Sequence, residues 1–343
     1  MRVARIVAYI VATTIIVFLA NQVNSLLSVL FGIMITILLL EIVLLSVQRS
    51  FFRFDDDPGI STISPTKLQI ETLSIRNMHA RLIKSHHTPP EKAPVVIMHH
   101  GYGSTYRRML VYAYPIALKG YAVLLYNTLG HGKIVKENAS RVDERTPGDK
   151  TEVVEIMKAL SRVVEFIKQR PDLDGGKVGF VGISLGAIVG LTYGCCNPDI
   201  KCVIALAGVH DFSKTSTRRL VPFTSDWFMK KSFEWSGLEM EPSKLQDFIV
   251  SPAFYLDKQF GFFERPVWTD QKNKDKIFLI HCEDDCTIPF WNFEENVKQL
   301  GLPPEHCLAL KSGNHWFIRQ EHLIIGQILF WLDTKLSGSN EGK

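Results

Sequence analysis

The sequence predicts an α/β domain in which a mainly parallel sheet carries helices on both faces, preceded by an N-terminal transmembrane region. Three observations support this prediction. Between residues 67 and 337, buried strand patterns alternate with amphipathic helix patterns, as in parallel sheets that are covered on both faces. Two long apolar segments lie within residues 6–47. A Gly-X-Ser-X-Gly pentapeptide, Gly182–Gly186, joins one buried strand to a helix of small residues.

Length and composition fit one large α/β domain with an added membrane region. The 343 residues are 46% hydrophobic and 22% charged, with a net charge of +4. The basic residues are scattered and form no run interleaved with aromatic residues, so no nucleic-acid partner is predicted. The six cysteines show no Cys-X-X-Cys spacing, so no metal site is predicted. They are expected to be reduced, buried thiols of a cytosolic domain.

The pattern divides the chain into six consecutive regions. These are a membrane anchor formed by a two-helix hairpin (1–50), a linker (51–66), the first part of the α/β core (67–209), a cap insertion (210–275), the second part of the core (276–337) and a tail (338–343). The cap is assigned because connections in such a sheet are usually only a few residues long.

Residues 6–47 are predicted to form the membrane hairpin. Ile6–Ala20 is uncharged, and Leu26–Val47 contains one charge, Glu41. At about 1.5 Å per helical residue, the second segment spans roughly 33 Å and the first only roughly 22 Å. One span plus an interfacial segment therefore remains an alternative. A cleaved signal peptide is disfavoured because no Ala-X-Ala pattern precedes Ala20.

The charges that flank the hairpin predict its orientation. Arg2 and Arg5 precede the first segment, Arg49 and Arg53 follow the second, and the turn between them is uncharged. By the positive-inside rule, both ends face the cytoplasm. We therefore expect a membrane protein that contacts the lipid bilayer through residues 6–47 and whose larger domain lies on the cytoplasmic side.

The later elements alternate along the chain. Two alternating runs, Lys67–Ile75 and Met78–Ser85, suit an antiparallel edge hairpin. Further strands are predicted over Ala93–His100, Tyr121–Tyr126, Lys177–Ile183, Lys201–Ala207, Lys276–His281 and Cys307–Leu310. Helices are predicted over Arg107–Leu118, Asp149–Gln169, Leu185–Cys196, Trp291–Leu300 and Glu321–Leu336. Pro171–Gly176 is a predicted turn before the strand that leads to the pentapeptide.

Ser184, at the centre of the pentapeptide, is the candidate nucleophile. A serine on a sharp strand-to-helix turn lies in strained backbone space, and small neighbours let the strand and the helix pass closely. Gly182 and Gly186 meet this need. The pentapeptide alone also fits a structural turn with an idle serine, but its strand and helix context favours a nucleophile.

Further motifs surround this serine in order. They are His100–Gly103, Leu129–Gly132, His281–Pro289 and Ser312–His315. Together with the pentapeptide they resemble the α/β-hydrolase family, over roughly residues 67–336. The resemblance implies a serine hydrolase that requires no cofactor. Cys282 stands where the family's acid loop has glycine.

The resemblance implies that Ser184, Asp285 and His315 form a catalytic triad, in the chain order typical of this fold. A serine hydroxyl is a poor nucleophile at pH 7, so His315 would accept its proton while Asp285 orients the imidazole. The backbone N–H groups of Tyr102 and Leu185 are the implied oxyanion hole.

The acid position has alternatives. Glu283 and Asp284 stand directly beside Asp285, and Asp211 follows an earlier strand. Alignment of the motif to Ile288–Pro289 favours Asp285. Elsewhere, His100 and His131 are interpreted as histidines that brace loops, not as bases or ligands.

The expected reaction is cleavage of a carboxylic ester or thioester of an apolar acyl substrate through an acyl-enzyme. The aromatic residues of 210–275 either form the cap's own core or line an apolar roof over Ser184. The family resemblance suggests monoacylglycerol, lysophospholipid or acyl-thioester substrates. The expected partner is therefore a small-molecule acyl ester or a lipid. A peptidase or acyltransferase with the same triad is the main alternative. A non-catalytic binding module would need a damaged triad.

Overall fold

This computed structural model describes residues 67–76, 78–101, 104–128, 153–194, 197–210 and 274–336, together with four isolated positions before residue 40. Contacts divide the chain into two compact units, Met1–Phe54 and Asp55–Lys343. No helix among the described residues is both long and apolar enough to cross a bilayer. The predicted membrane segments in 6–47, the linker 51–66, nearly all of the cap and the tail lie outside the described residues.

Strands and helices alternate through the larger unit. The strands are β1 Leu68–Ile75, β2 Met78–Ser85, β3 Ala93–His99, β4 Ala122–Tyr126, β5 Leu173–Ile183, β6 Ile200–Leu206, β7 Ile277–Cys282 and β8 Cys307–Leu310. The helices are α1 Leu110–Lys119, α2 Val153–Gln169, α3 Leu185–Val189, α4 Trp291–Leu300 and α5 Glu321–Leu336. A 3₁₀ turn, Tyr106–Met109, leads into α1.

The described strands form one sheet in the order β1-β2-β4-β3-β5-β6-β7-β8. β1 pairs antiparallel with β2, and β2 pairs antiparallel with β4. The remaining neighbours pair in parallel. The prediction of a mainly parallel sheet with an antiparallel edge hairpin is confirmed.

Helices cover both faces of this sheet. Apolar side chains of α2, α3 and α4, such as Leu160 and Phe293, pack on one face in a single cluster. Those of α1 and α5, such as Ile116 and Trp331, pack on the other face in a second cluster. Because the central strands are buried on both sides, they are apolar runs without alternation, and every residue of β4 is buried.

Strand β5 begins at Leu173, so the predicted turn at Pro171–Gly176 is only partly a turn. Ala93 and Pro94 of β3 align with Leu173 and Asp174, whereas the next residue, Val95, aligns with Val178. The residues between form an irregularity in the ladder. The glycines that suggested a turn therefore allow a β-bulge within a longer strand.

Helix α3 is shorter than the predicted Leu185–Cys196. It ends at Val189 and continues as a π-helical turn over Gly190–Gly194. The Thr192 hydroxyl donates to the carbonyl of Ile188 at 2.7 Å, a contact that competes with the helical ladder. A Cβ at Gly190 would lie 2.7 Å from the Phe180 ring, so the wide turn passes close to β5.

Candidate active site

Three candidate residues follow neighbouring strands of the sheet. Ser184 comes directly after β5, Asp285 follows β7, and His315 follows β8. β5, β6, β7 and β8 are adjacent and parallel. Since the carboxyl ends of parallel strands lie at one edge of a sheet, all three side chains belong to the same edge, where open α/β sheets bind their ligands.

Ser184 occupies strained backbone space. Its φ is 55° and its ψ is −113°, a positive φ that non-glycine residues rarely adopt. Its N–H donates to the carbonyl of Leu206 at 2.9 Å, and its carbonyl accepts from the N–H of Ile188 at 3.0 Å. The turn is thereby tied to β6 on one side and to α3 on the other. Such strain persists only where the surrounding structure holds it.

The two glycines of the pentapeptide allow this turn by their lack of a side chain. A Cβ at Gly182 would lie 2.3 Å from the carbonyl oxygen of Gly186. A Cβ at Gly186 would lie 2.2 Å from the carbonyl oxygen of His99, at the end of β3. Both distances are far below van der Waals contact with backbone atoms, so the close passage inferred from the sequence is present.

Replacing Gly182 with alanine is expected to lower the free energy of unfolding by about 3 kcal/mol, because the clash is with backbone that cannot rotate away. Gly326→Ala is the matched control. A Cβ at that exposed position in α5 meets nothing within 4 Å, so the substitution should raise stability by about 0.5–1 kcal/mol. Urea unfolding curves of both variants give the measurement. Equal unfolding midpoints for Gly182→Ala and Gly326→Ala would show that the turn does not need a glycine at position 182.

One of the two predicted oxyanion donors lies in the described part of the chain. Leu185 is the first residue of α3, and the first N–H groups of a helix have no acceptor within the helix. Tyr102 lies outside the described residues, but Gly101 precedes it. A Cβ at Gly101 would lie 3.3 Å from the Ser184 Cβ, so the chain leaving β3 passes beside the serine. The oxyanion pair stays a prediction.

His100 braces the loops at this edge. Its Nε2 accepts the N–H of Thr128 at 3.1 Å, so the proton of the neutral ring is on Nδ1. Nδ1 lies 2.7 Å from the carbonyl oxygen of Gly101, to which it donates. The histidine therefore connects the segment beside Ser184 to the loop after β4, as the sequence interpretation expected. His131 lies outside the described residues.

Asp285 and His315 are in direct contact. Nδ1 of His315 lies 2.8 Å from Oδ2 of Asp285, and both residues are buried. The N–H groups of Thr287 and Ile288 donate to Oδ1, each at 2.8 Å. Because Nδ1–H donates to the carboxylate, Nε2 of the neutral ring is left as the proton acceptor.

The carboxylate of Asp285 is stabilised in its charged form. Burial alone would raise its pKa, but hydrogen bonds from His281 and His315, the charge of His315 and the N–H of Ile288 outweigh burial and hold the pKa below its ordinary value. A carboxylate that is ionised at neutral pH is what an imidazole needs to become an imidazolium.

The neighbouring carboxylates make different contacts. Asp284 accepts the N–H groups of Gly313 at 3.1 Å and Asn314 at 2.7 Å. Glu283 pairs at the surface with Lys311, at 2.7 Å. Of the three adjacent acids, the structure brings only Asp285 to the side chain of His315, as the sequence alignment favoured. Asp211 lies outside the described residues.

The loop that carries His315 has an unusual backbone, which the sequence did not reveal. Gly313 has a φ of 139°, and Asn314, Phe317 and Arg319 have φ values of 49°, 56° and 64°. Since positive φ values cost energy at residues other than glycine, the loop must be held in this conformation by its surroundings. Asp284 ties down its first two residues, and the fully buried Phe317 ring anchors its far side.

Trp316 and Arg108 also support the histidine. The Trp316 ring meets the His315 ring edge to face at 5.1 Å between centroids. The Arg108 guanidinium carbon lies 4.9 Å from the centre of the Trp316 ring, a cation–π contact. The only sequence signal for this arrangement is an aromatic residue directly after the candidate base.

Cys282, the departure from the family's glycine, is accommodated by its neighbour. Its Sγ lies 3.6 Å from the carbonyl oxygen of Ser312, and a Cβ at Gly313 would lie only 2.9 Å from that sulfur. Burial, reinforced by the charges of Asp284 and Asp285, raises the pKa of the Cys282 thiol to about 12. Cys202, Cys282, Cys286 and Cys307 are free thiols. Cys286 is exposed, so the expectation of burial is wrong for it.

A known protein family matches part of this chain. The family described as serine aminopeptidase, S33, matches residues 90–256. This range includes the pentapeptide of Ser184 and ends before the segments that carry Asp285 and His315.

Two curated proteins are similar over about half of the chain. "Putative esterase YitV" of Bacillus subtilis is 25% identical over 190 residues, which are 52% of this chain and 74% of that protein. The 20-hydroxy-prefusarin hydrolase FUS2 of Gibberella moniliformis is 28% identical over 182 residues, which are 51% of this chain and 40% of that protein.

Solved structures share the fold at low sequence identity. The 2,6-dihydroxy-pseudo-oxynicotine hydrolase is 18% identical with a TM-score of 0.52, and the match covers 81% of this chain and 70% of that one. The acylaminoacyl peptidase of Pyrococcus horikoshii is 18% identical with a TM-score of 0.55, and the match covers 83% and 44%. At such identities the likeness shows the fold.

Proposed function

Because the chain is a serine hydrolase of the α/β-hydrolase superfamily, we propose that it cleaves carboxylic esters or thioesters of apolar acyl substrates through an acyl-enzyme on Ser184. His315 is the general base and Asp285 orients it. The observation that carries this proposal is the 2.8 Å contact between Nδ1 of His315 and Oδ2 of Asp285, at the sheet edge where Ser184 follows β5.

The geometry supports one role for each group in the proposed reaction. As the Ser184 hydroxyl attacks the acyl carbonyl, its proton passes to Nε2 of His315, and Asp285 stabilises the resulting imidazolium. The N–H groups of Leu185 and Tyr102 stabilise the oxyanion of the tetrahedral intermediate. His315 then protonates the leaving group. Water, activated by the same histidine, hydrolyses the acyl-enzyme and restores the serine.

An apolar acyl group is proposed on the composition of the predicted cap. The region 210–275 contains 13 aromatic residues among 66. Ligand pockets are mostly apolar and aromatic, and a roof of such residues over Ser184 would favour an acyl chain. The esterase name of the Bacillus relative agrees with an ester substrate.

Peptide or amide cleavage is the second candidate. Two observations favour it: the matched family is described as a serine aminopeptidase, and one structural neighbour is an acylaminoacyl peptidase. The same three residues serve both reactions, since ester and amide hydrolysis share the acyl-enzyme. The two activities differ in the leaving group that His315 must protonate.

A matched substrate panel distinguishes the candidates. The full chain is assayed on an ester, a thioester and an arylamide that share one medium-length acyl group, and on the arylamide of a free amino acid. We expect kcat/KM to be at least about 100-fold higher for the ester or thioester than for either amide, about 3 kcal/mol in transition-state stabilisation. A preference for the aminoacyl arylamide would contradict the ester proposal and support the aminopeptidase.

We also propose that residues 6–47 hold the enzyme at a bilayer, with the catalytic domain on the cytoplasmic side. The uncharged segments and the arginines that flank them support this. Lipid esters partition into the bilayer, so an enzyme held at its surface meets them at a raised effective concentration.

Truncation tests this placement. A chain that begins at Ser61 is expected to keep kcat/KM within about twofold on a soluble short-chain ester and to lose at least about tenfold in rate on a long-chain ester presented in vesicles, because its effective concentration at the surface falls. The soluble ester is the internal control for folding. Equal vesicle rates for the full and truncated chains would show that residues 6–47 do not bring the enzyme to its substrate.

A further inference from the structure

His281 is a buried histidine beside the acid loop, and the mechanism above does not use it. It is the penultimate residue of β7, with a side chain that is 1% exposed. Its Nε2 lies 2.8 Å from the carbonyl oxygen of Ile288. A carbonyl only accepts hydrogen bonds, so Nε2 must carry a proton and donate it.

The same nitrogen also faces the catalytic acid. Nε2 of His281 lies 3.4 Å from Oδ2 of Asp285, the oxygen that His315 contacts at 2.8 Å. The other carboxylate oxygen accepts the N–H groups of Thr287 and Ile288. The Nε2–H of His281 therefore donates to the carbonyl of Ile288, the last residue of the turn Asp285–Ile288. It also lies close to the side chain of Asp285, the first residue of the same turn.

Apolar packing holds the His281 ring in this orientation. The ring of Phe290 meets it edge on at 5.9 Å between centroids, and that of Phe293 at 6.1 Å. The two phenylalanine rings stack on each other at 5.1 Å. Because the His281 ring is packed against Phe290 and Phe293, its ring nitrogens have little freedom to move. Nε2–H is therefore directed at the acid loop.

We propose that His281 is a positioning residue, whose Nε2–H closes the Asp285–Ile288 turn and keeps Oδ2 of Asp285 aligned with Nδ1 of His315. This inference rests on the proposed function of Ser184, Asp285 and His315. Without the donor, the buried carbonyl of Ile288 loses its partner and Oδ2 loses its second contact. The carboxylate is then free to turn about its two backbone donors, away from the imidazole.

Two substitutions separate the donor from the ring. His281→Phe keeps a planar ring against Phe290 and Phe293 but removes the N–H. His281→Gln removes the ring but places an amide N–H at the same number of bonds from Cα as Nε2. We expect His281→Phe to lower kcat on a soluble ester by about 10- to 100-fold with KM unchanged within about twofold, because misalignment acts on the transition state. His281→Gln should recover at least half of that loss on a logarithmic scale.

His306→Phe is the matched control. His306 is also a buried histidine packed against an aromatic ring, that of Trp331 at 4.6 Å, but it precedes β8 at the opposite end of the sheet. Its kcat should be that of the wild type. If His281→Phe does not fold, His281→Asn replaces it in the test. The asparagine amide is one methylene too short to reach the carbonyl of Ile288, so His281→Asn should lose more activity than His281→Gln.

Ser184→Ala, run in the same assay, separates failure of this inference from failure of the proposed function. Persistent turnover in Ser184→Ala overturns the function. An inactive Ser184→Ala with wild-type kcat in His281→Phe overturns the positioning role alone. Equal losses in the phenylalanine and glutamine variants would contradict the positioning role, because an N–H restored at this position would then have no effect. A loss that appears in KM instead of kcat would contradict it as well.

Discussion

Replacing Ser184 with alanine is expected to lower ester turnover by about 10⁴-fold or more, because removing the nucleophile of a triad leaves only binding and oxyanion stabilisation. Thermal unfolding should change little. Ser184 is held by its backbone, through Leu206 and Ile188, and these hydrogen bonds do not involve the side chain. The positive φ of 55° is somewhat costly for alanine as well, so no gain in stability is expected.

The assay compares kcat on a soluble ester with the unfolding midpoint of the same sample. Ser74→Ala is the matched control, since Ser74 is an exposed serine on the edge strand β1, and it should retain full activity. Residual turnover by Ser184→Ala above about 1% would show that another group carries the reaction. A large fall in the unfolding midpoint of Ser184→Ala would mean that the activity was lost through misfolding and not through loss of the nucleophile.

Replacing Asp285 with asparagine is expected to lower kcat by at least about 10³-fold. An amide in place of the carboxylate no longer stabilises an imidazolium. Its oxygen is already bound by the N–H groups of Thr287 and Ile288, so its NH₂ group would face Nδ1 of His315. The imidazole would then accept at Nδ1 and carry its proton on Nε2, the wrong tautomer for a base.

Asp284→Asn is the matched control for this loss. Asp284 holds backbone N–H groups of Gly313 and Asn314, and an asparagine oxygen can still accept one of them. We expect a loss of no more than about tenfold, since the asparagine oxygen can keep one donor and the N–H of Asn314 lies at an exposed contact where water can bind it. The kcat values of both variants on one ester decide the assignment. Equal losses, or a larger loss in Asp284→Asn, would contradict Asp285 as the orienting acid.

Much of the fold could be predicted because its signals are local. The apolar runs of β3 to β8 and the periodicity of α2, α4 and α5 each lie within one window of sequence. The bulge in β5 could not be predicted in this way. It depends on how residues 173–178 align with Ala93–Val95 of another strand, and the same glycines are equally typical of a turn.

The residues around the site were harder to predict than the three candidates. Motif spacing favoured Asp285 over Asp284, but their separate contacts depend on the backbone of the loop at 313–319, which no sequence pattern encodes. His281 lies within an apolar strand run, where a buried histidine has no spacing that indicates its partner. Arg108 and Trp316 are distant in sequence and meet only because the loops after β3 and β8 share one edge.

Labelling with a fluorophosphonate that reacts with activated serines gives the most direct measurement of the nucleophile. The full chain is incubated with the reagent, digested and mapped by mass spectrometry. A single adduct on Ser184 is expected, formed slowly in Asp285→Asn and absent in Ser184→Ala, because only an activated serine attacks the reagent. An adduct at a different serine, or none in an enzyme that turns over esters, would contradict Ser184 as the nucleophile.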